Sequence, residues 1–230
     1  MILINNWIIK KKYTTIVSEI HRLILDIEKE SISNRGCFNI ILAGGKSFND
    51  VYSMLSKSKC NWKKWNVFLG DERFSTNLFQ RNDYLIKKNF LDKVKIPKKN
   101  IHFYKTQLAI NSCINNYERK ITPIKMFDIV LLGMGEDGHT ASLFPFRKIN
   151  IGNVVFEGNS PKLPKKRLSL AYKTLNKSRN SIKLIYGKKK RKVLRKIFNG
   201  LALPIVKVKG QRDYIFSTND TIPKRFKSTR

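Results

Sequence analysis

The chain has 230 residues, 41% of them hydrophobic, enough to bury the core of one large α/β domain and too many for a chain disordered along its length. Its 47 lysines and arginines stand against 16 acidic residues, a formal net charge of +31. No apolar run approaches the roughly 20 residues that a membrane helix requires, and the short apolar start at Met1–Ile9 is followed by Lys10–Lys12, the reverse of a signal peptide's order. The chain therefore reads as cytoplasmic, with no membrane partner. Cys37, Cys60 and Cys113 are odd in number and form no Cys-x-x-Cys pair, which argues against a disulfide framework and against a zinc site.

Taken in order, Ile16, Ile20, Leu23, Ile24 and Ile27 recur at helical spacing and predict an amphipathic helix over Thr14–Glu30. Phe38–Ala43 is a compact apolar run that reads as a buried strand ending in Gly44-Gly45, and Ser47–Leu55 reads as the helix after it. Trp65–Leu69 is a second buried strand, closed by Gly70. Phe127–Leu132 is a third, rich in β-branched and apolar residues and ended by Gly133. Leu168–Tyr172 and Ile182–Tyr186 are further strands, and Val193, Leu194, Ile197 and Phe198 mark a helix. Pro204–Val208 and Tyr214–Phe216 are shorter strand candidates, and the basic tail after Pro223 is expected to fray. No repeat, linker or low-complexity block divides the chain, so residues 1–230 read as one domain. Continuous apolar strands separated by helices predict a mostly parallel sheet covered on both faces. In such folds ligands gather beyond the carboxyl ends of the strands.

Three motifs fall at that edge. Gly44-Gly45-Lys46-Ser47 joins a strand to a helix start, where glycines admit close backbone approach, Lys46 adds charge and Ser47 a hydroxyl. Gly70-Asp71-Glu72-Arg73 places an arginine able to clamp an anion beside carboxylates able to hold hydroxyls or orient neighbours. Gly133-Met134-Gly135-Glu136-Asp137-Gly138-His139 puts an imidazole, suited to activating water near neutral pH, in a glycine-rich loop with Asp137 two residues away. His21 and His102 sit in a helix and beside a strand-like segment and read as structural. Ser160-Pro161-Lys162, Arg167 and Gly187 with Lys190 are, by themselves, ordinary loops of a lysine-rich protein.

In its Asp137–Pro145 stretch (DGHTASLFP), its Gly70–Arg73 stretch (GDER) and its Gly44-Gly45 turn, in that family's order, the sequence resembles the 6-phosphogluconolactonases. Asn82-Asp83-Tyr84 (close to that family's Ser-Asn-Tyr), Ser160-Pro161-Lys162, Arg167 and Gly187-x-x-Lys190 extend the resemblance over about residues 35–220. The resemblance implies a three-layer α/β/α fold with a Rossmann-like sheet, related to the amino-sugar phosphate deaminases. It implies a small sugar-phosphate substrate and no cofactor or metal. It also implies roles: His139 as general base, Arg73 as the active-site arginine, Asp137 as the residue that positions histidine or substrate. The glycine turn with Lys162, Arg167 and Lys190 would form the phosphate side, beside which Asp71 and Glu72 would hold sugar hydroxyls or orient other side chains. Arginine or backbone amides near Gly135–Gly138 would stabilise an oxyanion. The chain departs from the family in having Lys46-Ser47-Phe48 where Ser-Thr-Pro is usual, Glu136 at a usually uncharged position, and Phe146 where glycine is common.

Two alternatives accompany this reading. Related deaminases and isomerases favour a tyrosine after the Asp-Glu pair, and Arg73 with Thr140-Ala141-Ser142 weighs against them. A nucleic-acid-binding role would explain the charge. However, the lysines are spread along the chain beside abundant Asn and Ile, the residues of A+T-rich codons, so base composition accounts for the bias without a specific nucleic-acid partner. The expected assembly is a monomer or small homo-oligomer.

Overall fold

The computed structural model describes residues 7–147 and 152–226. In chain order its regular elements are β1 (Trp7–Lys10), α1 (Tyr13–Arg35), β2 (Phe38–Leu42), α2 (Asn49–Leu55), β3 (Trp65–Leu69), β4 (Asp71–Arg73), α3 (Asn82–Asn89), β5 (Ile101–His102), α4 (Ile110–Ile121), β6 (Phe127–Gly133), β7 (Val154–Glu157), β8 (Arg167–Leu170), α5 (Tyr172–Leu175), β9 (Ser178–Ile185), α6 (Arg191–Phe198), α7 (Pro204–Lys207) and β10 (Arg212–Thr218). Single turns of 3-10 helix lie between them. Seven strands form one sheet in the order β1-β10-β9-β6-β2-β3-β5, every pair parallel. Phe127 to Leu132 of β6 are all buried, as are Ile40, Ile41 and Leu42 of β2, so both faces of the sheet are covered. The result is the three-layer α/β/α arrangement, with α1 packed on α2 and against β2, β6 and β10.

The chain order reverses at the centre of this sheet. From β2 the strands run outward through β3 to β5 on one side, and through β6, β9 and β10 to β1 on the other. The loops after β2 and β6 therefore leave in different directions and open a crevice at the carboxyl edge. A second, three-stranded antiparallel sheet, β4-β8-β7, sits at the same edge. It is joined to the main sheet by the Leu170 amide, which donates to the Gly70 carbonyl at 2.8 Å.

Several expected boundaries move. The first helix extends to Arg35, because Ser31 continues the buried stripe of Ile20, Ile24 and Ile27. The helix expected from Ser47 begins only at Asn49 and has seven residues. The strand expected over Leu168–Tyr172 is Arg167–Leu170 and belongs to the small sheet. Pro204–Val208 is no strand: Pro204 opens the helical turn α7, where its fixed φ suits the first position and its missing N–H costs nothing. In the tail, Lys224–Phe226 form a turn whose Phe226 ring lies 5.0 Å from that of Phe198, and residues 227–230 lie outside the described residues. No helix among the described residues is long and apolar enough to cross a membrane.

Candidate active site

The loops after β2, β3 and β6 converge, with β8, on a cleft of about 290 Å³. Its walls include Gly44, Gly45, Ser47, Asp71, Arg73, Asn82, His139, Phe144, Lys162 and Arg167. Most of the motif residues singled out in the sequence are thus brought together.

His139 is held from several sides. Its Nδ1 lies 2.5 Å from Asp137 Oδ1, and its backbone N–H donates to the same oxygen at 3.2 Å. Its carbonyl accepts from the Gly135 amide at 2.8 Å, and its ring lies 4.8 Å from that of Phe144. A Cβ built on Gly135 would lie 2.1 Å from the imidazole, so only glycine lets the ring occupy this place. Burial alone would raise the Asp137 carboxyl, but the hydrogen bonds and charge of His139 outweigh it and hold the group at about 2. Asp137 is therefore an anion that fixes Nδ1 as a donor, leaving Nε2, which makes no protein hydrogen bond among the described residues, as the basic nitrogen. The loop is closed further by Thr140 Oγ1, which donates to the Gly133 carbonyl at 2.9 Å.

The same cleft is lined by an arginine pair. Arg73 of β4 and Arg167 of β8 are direct cross-strand partners. Like charges so placed destabilise a sheet. Arg167 is buried and its fork holds loop carbonyls: Nε donates to Pro164 at 2.6 Å and Nη2 to Leu163 at 2.8 Å. Burial, then the charge of Arg73, lowers its pKa. Arg73 Nη1 donates to the Gln80 carbonyl at 2.9 Å, while its buried Nε has no partner. Asp71 lines the cleft and accepts from Ser142 Oγ at 2.7 Å, which ties the histidine loop to β4.

Some expected site residues lie elsewhere. Glu72 is fully buried, and its carboxylate accepts from the backbone amides of Arg73 (2.8 Å), Asn82 (2.6 Å) and Asp83 (2.8 Å). Burial, with Asp83 nearby, pushes its pKa up against those donors. It anchors the start of α3 and, buried outside the cleft lining, is out of reach of a sugar hydroxyl. Lys46 is exposed and does not line the cleft. Lys190 lines an adjoining hollow with Ser47, Met134 and Glu136, where burial lowers its pKa. The amides of Gly135 and Gly138 are both engaged within the loop. Phe144 joins the site from the Asp137–Pro145 stretch, and Asn82 joins it from a segment that entered only through the resemblance. His21 bonds Ser58 Oγ at 2.7 Å, and His102 stacks on Phe68 at 4.6 Å; neither lines the cleft. Among the described residues no three His, Cys, Asp or Glu side chains gather as a metal site would require.

A parallel α/β sheet whose switch-point crevice is lined by an aspartate-paired histidine and two arginines defines an enzyme that handles a small anionic substrate. The chain belongs to the family described as glucosamine-6-phosphate isomerases/6-phosphogluconolactonase, whose model matches residues 11–216. It is 35% identical to the 6-phosphogluconolactonase of Thermotoga maritima over 182 residues, covering 77% of this chain and 82% of that protein. A solved 6-phosphogluconolactonase structure from Thermotoga maritima superposes with a TM-score of 0.86 at 30% identity, covering 92% of this chain and 98% of that one. A monomeric glucosamine-6-phosphate deaminase shares the fold at a TM-score of 0.83 and 17% identity, over 96% of this chain and 100% of that one.

Proposed function

We propose that this chain hydrolyses 6-phospho-D-glucono-1,5-lactone to 6-phosphogluconate in the pentose phosphate pathway, with His139 as general base and without a metal. The observation that carries the reading is that His139, paired with Asp137, lines one cleft together with the Arg73–Arg167 pair. Nε2 of His139 takes a proton from water as the water oxygen attacks the lactone carbonyl carbon. The carbonyl oxygen becomes an oxyanion, and on this reading Arg73, which lines the cleft, stabilises it. Collapse breaks the bond to the ring oxygen, which leaves with the proton that His139 returns. The product acid then loses a proton to solvent. Asp137 keeps the imidazole in the tautomer this sequence needs and stabilises its charged form. Arg167, Lys162 and, from the adjoining hollow, Lys190 form with the glycine turn the side that receives the 6-phosphate.

On this reading residues 1–230 act as one domain, in the cytoplasm, as a monomer or small homo-oligomer without a specific nucleic-acid partner. Arg73 and the Thr140-Ala141-Ser142 run favour lactone hydrolysis over deamination. The two activities are separated by supplying 6-phosphogluconolactone and glucosamine 6-phosphate in parallel, with chelator present. Acid release from the first and no ammonia from the second is expected; the opposite pattern would overturn the assignment.

A further inference from the structure

The two loops that carry the anion-facing groups begin on adjacent strands but separate at once. The chain after β2 turns through Gly44-Gly45, while the chain after β3 leaves the main sheet as β4 to pair with β8. One side chain spans the gap between them. Asn82, the first residue of α3, is fully buried in the cleft wall. Its Nδ2 donates to the Asp71 carbonyl at 2.9 Å, and its Oδ1 accepts from the Gly45 amide at 3.2 Å. Its own backbone N–H is held by Glu72 at 2.6 Å, so the carboxamide cannot drift with α3. A Cβ on Gly44 would lie 2.1 Å from Nδ2: the carboxamide fills the space that glycine vacates. A carboxylate in this place lacks the proton for the Asp71 carbonyl, and a serine hydroxyl is too short to span both partners.

We propose that Asn82 is a positioning residue for the phosphate end of the substrate. By fixing the Gly44-Gly45 turn to β4, it holds one wall of the phosphate side in register with Arg167 and Lys162 on the other. It thereby sets the preference for a phosphorylated over an unphosphorylated lactone. The inference rests on the reading of that side as the phosphate side, which needs its own control.

The test is steady-state hydrolysis of 6-phosphogluconolactone and of glucono-1,5-lactone by the full chain, with inorganic phosphate as competitive inhibitor. Asn82→Asp should lower kcat/KM about tenfold on the phosphorylated lactone, through KM, the size expected for a lost buried hydrogen bond. Glucono-1,5-lactone should change less than about twofold, and the inhibition constant of phosphate should rise in parallel. Asn82→Ser, which adds no charge, should shift the ratio the same way and serves if the aspartate variant does not fold. Equal losses on both lactones would make Asn82 a merely structural residue and overturn the proposal, as would no loss on either. Lys190→Ala supplies the control. If it lowers the phosphorylated-to-unphosphorylated ratio while both Asn82 variants leave it unchanged, the role of Asn82 alone is wrong. If Lys190→Ala leaves the ratio unchanged as well, the phosphate side is misplaced and the inference falls with it.

Discussion

At the scale of single residues, the central relation is between Asp137 and His139, two positions apart in a loop that glycines let fold back on itself. Because the Asp137 carboxyl is held at about 2, below the ordinary carboxylate range, its ionised form contributes to the folded state at neutral pH. That contribution is present above the unfolded-state value and is lost as pH falls through the folded-state value. The stability gap between wild type and Asp137→Asn should therefore be open near about pH 5 and close by about pH 2. Denaturant unfolding across that range measures it; a gap that did not narrow would place the carboxylate's partner elsewhere. The pair was legible in the sequence because turn residues crowd around a histidine directly after an apolar strand. Glu72 was not: nothing in Gly70–Arg73 says which of two adjacent acids faces the cleft and which turns inward to meet three backbone amides. The same ambiguity hides at Lys46, whose side chain points to solvent from a turn that otherwise lines the cleft. Charge and proximity in sequence do not specify direction.

At the scale of elements, β2, β3 and β6 were readable because each is an apolar run closed by glycine, and their three endings meet where the parallel sheet predicts. The small antiparallel sheet was not readable. β4 has three residues, β8 four, and what brings Arg167 opposite Arg73 is a cross-strand register between segments more than ninety positions apart. α4 escaped notice because its fully buried residues, Cys113, Tyr117 and Ile121, are few and stand among polar neighbours, with Ile114 only partly buried against the core. Pro204–Val208 shows the converse, since a short apolar run has no period to distinguish strand from helix and the proline decides it. The loop after β6 offers a test at this scale. Gly135→Ala would drive a methyl to within 2.1 Å of the His139 ring. The displaced imidazole should cost about 10²-fold or more in kcat, on the scale of misplacing a general base. Turnover together with thermal melting reads the effect; near-normal turnover would mean that the loop does not hold the base as described.

At the scale of the whole molecule, the reversal of strand order between β2 and β6 explains why chemistry collects at one edge of a sheet whose faces are sealed by helices. The net charge of +31 acts on top of that local design. Its field attracts a phosphorylated substrate from any direction, and salt screens it over a Debye length of about 8 Å at physiological ionic strength. kcat/KM for the phosphorylated lactone should fall as potassium chloride rises from about 0.02 to 0.5 M, with kcat nearly constant. A flat profile would show that the charge takes no part in capture. Binding to duplex DNA should be weak and should vanish over the same range. The measurement that bears most directly on the whole account is acid release from freshly prepared 6-phosphogluconolactone in a pH-stat, with chelator present, for wild type, His139→Ala and no enzyme. The account predicts rapid hydrolysis by wild type and a loss of about 10²–10⁴-fold in the variant. A wild-type rate equal to the spontaneous background, or a His139→Ala enzyme as fast as wild type, would contradict it.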